Sequence, residues 1–140
     1  MRNIYSKILF TSLWTIFFSG CTSDKEMVQS YLKEVDISLN DEFKVIKCET
    51  EGTTDFIFQC EIIVTSSDSE RLVNQIKSRK YFTYGFPKIQ QLEQCKDVDK
   101  QAYFKDDFYY VEFFNYPSTI RKSMFFYPSE KRLKYTYYDE

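Results

Sequence analysis

The sequence predicts an α+β fold in a single small domain: two helices and a mostly antiparallel five-stranded sheet, in the order α-β-β-α-β-β-β. Three observations carry this. Two stretches, opening at Ser23 and Ser67, combine capping-box spacing with an apolar stripe of helical period. Residues 55–65 alternate apolar and polar side chains with a period of two. From Ala102 onward the chain holds fourteen aromatic residues cut by two groups of turn residues, and aromatic side chains suit half-buried pleated surfaces.

The first twenty residues stand apart. Arg2 and Lys7 precede an apolar run from Ile8 to Phe18 with no acid in it, the charge and hydropathy profile of a secretory signal peptide. The run is too short for a permanent membrane span, which needs about 20 apolar residues. The residues that close it, Phe18-Ser19-Gly20-Cys21, resemble the lipobox of bacterial lipoproteins. Ser19, Gly20 and Cys21 match that pattern, and Phe18 departs from it, standing where an aliphatic residue is usual. The resemblance implies that the Cys21 thiol is acylated and residues 1–20 are removed, leaving a tether at 21–26 and a globular domain at 27–140. It further implies a bacterial envelope location, with the membrane as one partner through N-terminal acyl chains. Because Thr22 rather than aspartate follows the cysteine, an outer-membrane place facing the periplasm is favoured.

In the body, Ser23 and Glu26 stand at capping-box spacing ahead of Met27, Val28, Tyr31, Leu32 and Val35, which predicts an amphipathic helix over 24–35 that packs on the sheet. Residues 42–49 and 55–65 read as a hairpin around Gly52, the second arm with Phe56, Phe58, Cys60, Ile62 and Val64 on one face. Pairing Cys48 with Cys60 needs only antiparallel register and sets Ile46 opposite Ile62, with Ile57 and Ile63 on the other face near Phe43 and Val45. Ser67 and Glu70 predict a second helix over 68–80, with Leu72, Val73 and Ile76 inward. Tyr84-Gly85-Phe86-Pro87 reads as turn chemistry. Residues 88–100 are the least legible: Ile89 and Leu92 allow a helical turn or two, and Asp97 and Asp99 suggest a loop. The C-terminal third then forms a three-stranded meander at 107–115, 120–127 and 132–138, turning at Asn115-Tyr116-Pro117-Ser118 and Pro128-Ser129-Glu130-Lys131.

Composition narrows the chemistry. The 140 residues include no histidine, which removes Ser-His-Asp and Cys-His catalysis and His-ligated zinc. Without residues 1–20 the chain holds 17 basic and 21 acidic residues, a net charge of −4 that argues against nucleic acid as a partner. Of the three cysteines besides Cys21, a Cys48–Cys60 disulfide is favoured in an oxidising envelope, with Cys60–Cys95 as the competing bridge. No CxxC unit, EF-hand loop or glycine-rich phosphate loop is present, so no metal site and no cofactor is expected. The adjacent Asp106 and Asp107, with Glu112 nearby, are read as a turn rather than a catalytic pair, since neighbouring strand residues face opposite ways. No catalytic residue is assigned.

The aromatic density of the meander exceeds what a core needs, and its doublets must place rings on both sides of the sheet. One side is core and the other calls for a cover, from a helix of the same domain or from a partner. Tyr109, Tyr110, Arg121, Lys122, Tyr127, Arg132, Lys134, Tyr135 and Tyr137 form the candidate partner surface. The expected role is non-enzymatic binding of another envelope protein. In size, address and lack of catalytic residues the chain is similar to the immunity proteins that neutralise secreted antibacterial toxins, a likeness with no motif behind it. The alternatives are a structural or assembly-factor lipoprotein of the outer membrane and a binder of glycans or small ligands.

Overall fold

The computed structural model describes residues 24–87, 100–115 and 119–139. The export segment with Cys21, the 88–99 stretch with Ile89, Leu92, Cys95, Asp97 and Asp99, and the turn at 116–118 lie outside the described residues.

Helix α1 (Asp24–Lys33) has acids in its first turn and Lys33 in its last, both complementing the helix dipole. It buries Val28 and Leu32, and Tyr31 stacks on Phe58 with ring centroids 4.4 Å apart. The helix closes at Asp36, whose φ of 56° lets the Ile37 N–H donate back to the Leu32 carbonyl at 2.9 Å. Arg79 from the far side of the chain donates to the carbonyls of Val35 (2.7 Å) and Asp36 (3.2 Å) and so caps this end.

Strands β1 (Lys44–Glu51) and β2 (Phe56–Ile63) pair antiparallel with Cys48 opposite Cys60, joined by a disulfide across a Cα separation of 4.2 Å. The expected register fails one step further on. A β-bulge between Val45 and Lys47 leaves Ile46 out of the ladder, so Val45, not Ile46, lies opposite Ile62. The extra residue reverses the alternation beyond it: Ile46 is 49% exposed while Phe43 enters the core and Val45 packs against it.

Helix α2 (Ser66–Lys77) starts two residues before the expected 68, and its cap is not Ser67. Thr65 takes that role, its hydroxyl accepting from the Asp68 N–H at 3.1 Å. Asp68, fully buried, accepts from the N–H groups of Asn40 (3.1 Å) and Asp41 (2.9 Å) and pairs with Arg71 at 2.6 Å. The segment between α1 and β1 is thereby pinned to the start of α2.

The five-stranded sheet is also overturned. Beyond β5 (Phe108–Asn115), β6 (Ile120–Tyr127) and β7 (Arg132–Asp139), which match the expected meander, the sheet includes β3 (Phe82–Tyr84) and β4 (Lys100–Lys105). Its seven strands run in the order β1-β2-β7-β6-β5-β4-β3. It is a mixed sheet, because β3 pairs with β4 in parallel. The three residues of β3 run into the turn glycine Gly85, and β4 is only six residues long, so neither gives a period long enough to read against its flanks. Both helices lie on one face. Phe58, Ile62, Val111, Met124, Phe126, Leu133 and Tyr135 from the sheet meet Val28, Leu32, Leu72 and Ile76 there as one buried cluster, each large side chain contributing about 1.5–3 kcal/mol by leaving water.

Candidate functional site

Ladder register sorts every residue of the meander onto one of two faces. Tyr109, Val111 and Phe113 of β5 lie level with Phe126, Met124 and Lys122 of β6 and face the helices. Phe108, Tyr110, Glu112 and Phe114 therefore share the opposite face with Arg121, Ser123, Phe125 and Tyr127. No described helix lies on that face.

A continuous row of rings crosses it. Phe86 meets Tyr103 at 5.2 Å between centroids, Tyr103 meets Tyr110 at 5.0 Å, and Tyr110 meets Phe125 at 4.7 Å. Phe125 then meets Phe108 at 5.5 Å, and Phe108 meets Tyr127 at 5.9 Å. These are tilted contacts of the kind rings favour over a face-to-face sandwich. Cations border the row: Lys105 stands 3.9 Å over Phe86, Arg132 4.9 Å over Tyr127, and Arg121 5.4 Å over Phe114. Toward β2 the face becomes ionic, with Glu61 between Arg132 (3.3 Å) and Lys134 (3.7 Å).

One carboxylate sits among the rings. The Tyr110 hydroxyl donates to Glu112, whose other oxygen lies 3.9 Å from Arg121 Nε. Burial pushes the Tyr110 hydroxyl well above the ordinary tyrosine range, and the Glu112 carboxylate pushes it the same way. Tyr103 is raised for the same two reasons, burial first. Both hydroxyls are thus protonated at neutral pH, and that of Tyr110 is committed to the Glu112 carboxylate.

The expected partner surface divides between the faces. Tyr110, Arg121, Tyr127, Arg132 and Lys134 lie on the open face, where Tyr110, like its neighbour Tyr103, is buried within the ring row at 8% and 7% exposure. Tyr109 is buried under α2 with the Lys77 ammonium 5.8 Å over its ring, and Tyr135 is 1% exposed. Lys122 pairs with Glu34, just after α1, at 2.6 Å, and Tyr137 packs against Tyr31. These four belong to the packing of the helices. Tyr103, Phe86, Phe108, Phe125 and Glu112 complete the open face and were absent from the expected set. Phe108 and Phe125 share sequence parity with Tyr110 and Tyr127, so parity would have recovered them. Asp106 and Asp107 form the exposed β4–β5 turn, with Asp106 at a φ of 55°.

Among the described residues no three Cys, Asp or Glu side chains converge as a metal site, and no helix is long and apolar enough to cross a membrane. Comparison with protein-family models, curated proteins and solved structures finds no match for this chain.

Proposed function

We propose that this chain is a membrane-anchored, non-enzymatic lipoprotein of the bacterial envelope that binds another protein through the open face of its sheet. The reading joins two lines of support. The lipobox-like Phe18-Ser19-Gly20-Cys21 and the apolar run before it favour export and acylation at Cys21. The observation that carries the binding reading is the inequality of the two faces: both helices cover one, while the other presents a ring row bordered by Lys105, Arg121 and Arg132. An aromatic centre with a polar, arginine-bearing rim is the composition enriched at protein interfaces. Neutralisation of an exported antibacterial toxin is the special case put forward, and its partner is a protein encoded beside this chain.

The test has two arms. Cys21→Ser is expected to release the protein from membranes, and unchanged membrane fractionation contradicts the anchor. A co-encoded exported protein is expected to co-purify with the lipidated chain and to lose toxicity in its presence. A chain that binds no co-encoded protein and gives no protection contradicts the immunity reading.

A further inference from the structure

Two residues, Thr22 and Ser23, stand between Cys21 and Asp24, the first residue of α1, so three Cα–Cα steps join them. Whatever conformation they take, they span no more than about 10 Å. An acyl anchor at Cys21 therefore holds the N-terminal end of α1 against the bilayer with no linker to spare, and the position of that end within the domain decides the orientation of everything else.

That end is well placed by contacts. Lys25 pairs with Glu42 at 3.7 Å, and Asp24 and Lys25 share a shallow concavity with Phe43, Lys44 and Val45 at the start of β1. From there the ladder leads sideways: Lys44 is opposite Ile63, Ile63 is opposite Arg132, and the Val64 N–H donates to the Lys131 carbonyl at 2.9 Å. The turn Pro128–Lys131 thus lies at the same end of the sheet, two strand spacings or about 10 Å from β1. At the other end of these strands stands the Gly52–Asp55 hairpin tip, about 25 Å away along eight residues of strand. α1 runs between the two levels, from Glu42 to Phe58 and Tyr137. The accumulated twist of the sheet turns the β3 edge away from this axis, so only β1, β2 and β7 are placed by it.

We infer that the end of the domain formed by the α1 N-terminus, residues 42–45 and the Pro128–Lys131 turn rests on lipid headgroups. The Gly52–Asp55 tip then projects away from the membrane. The chemistry of this end fits a headgroup layer rather than the hydrocarbon: Lys25, Lys44 and Lys131 are interspersed with Asp24, Glu42 and Glu130, and all six are exposed. The inference rests on the anchor proposed above and deepens it. The ionic part of the open face on β2 and β7, with Glu61, Arg132 and Lys134, then stands upright beside the bilayer within about 25 Å of the headgroups, so a partner that engages it is met at the membrane surface.

Trp14, the sole tryptophan, lies in the segment expected to be removed, which leaves the mature chain open to single-tryptophan probes. Ser129→Trp and Thr54→Trp place one at each end, both at exposed positions. The acylated full chain is reconstituted in phosphatidylethanolamine/phosphatidylglycerol vesicles that carry a nitroxide headgroup lipid. Quenching of the Ser129→Trp protein is expected to exceed that of Thr54→Trp several-fold. A ten-residue Gly-Ser insertion after Ser23, with a reach of roughly 17 Å, is expected to collapse the difference. Equal or reversed quenching in vesicle-bound protein whose mass shows acylated Cys21 overturns the orientation and leaves the anchor standing. An unmodified thiol with no vesicle binding overturns both.

Discussion

Tyr135→Phe is expected to make the protein more stable, which is unusual for a substitution at the centre of a core. Tyr135 is 1% exposed, its ring is 5.5 Å from that of Tyr31, and its hydroxyl has no hydrogen-bond partner among the described residues. A buried hydroxyl without a partner costs roughly 1–3 kcal/mol relative to water. The substitution removes that oxygen, keeps the ring and leaves almost no cavity. A gain of about 1 kcal/mol follows, which for a domain of this size raises Tm by about 4 °C. The companion variant Tyr110→Phe gives the opposite sign, because it breaks the bond to Glu112 and leaves that largely shielded carboxylate, among the described residues, facing only Arg121; a loss of about 1 kcal/mol is expected. Urea unfolding of the two variants followed by tyrosine fluorescence and circular dichroism measures both. A loss of 1 kcal/mol or more for Tyr135→Phe refutes the reasoning, since it means the hydroxyl is satisfied and the core is organised around it.

The same two tyrosines set an alkaline limit. Burial raises both hydroxyls, with Glu112 adding to Tyr110 and Glu34 to Tyr135. In the unfolded chain they ionise near pH 10, so the native state holds protons the unfolded state has lost; stability is full below pH 10 and falls above it by about 1.4 kcal/mol per pH unit for each group. Tyr135→Phe is expected to remove one group's share of that slope, read from urea midpoints between pH 9 and pH 11. Replacing Cys48 and Cys60 together by alanine is expected to cost about 3 kcal/mol, the chain-entropy value for a loop with a sequence separation of 12, seen as a shift of the urea midpoint that reductant reproduces in the parent protein. Asp68→Ala is expected to cost about 3 kcal/mol by orphaning the Asn40 and Asp41 N–H groups. Hydrogen exchange at those two amides should rise before the rest of the domain opens.

What the sequence revealed follows from the range of the physics involved. The meander and the Cys48–Cys60 register were legible because alternation over eight residues and paired turns are local signals. The start of α2 was misplaced because Ser67 and Thr65 both offer caps. The choice fell to Thr65, whose hydroxyl also donates to Asp41, 24 residues away, at 2.8 Å. The bulge at Ile46 was hidden because nothing in Lys44-Val45-Ile46-Lys47 marks which apolar residue leaves the ladder. Strand β3 escaped because a parallel pairing of three residues exists only once distant segments meet, and β4, although it pairs antiparallel with β5 directly across Asp106 and Asp107, because its six residues give little alternation to read. The candidate surface was half legible: aromatic excess announced rings on both faces. Assigning Tyr109, Lys122, Tyr135 and Tyr137 to the wrong side came from not carrying parity through from the buried Met124 and Phe126.

Oxidative footprinting of the acylated chain, alone and with the co-encoded exported protein, tests the proposed binding face most directly. The account predicts protection at Phe108, Phe125 and Tyr127 on the open face, and unchanged labelling at Tyr31 and Tyr137 beside α1. Protection confined to Tyr31 and Tyr137, with the open-face rings labelled as before, contradicts it.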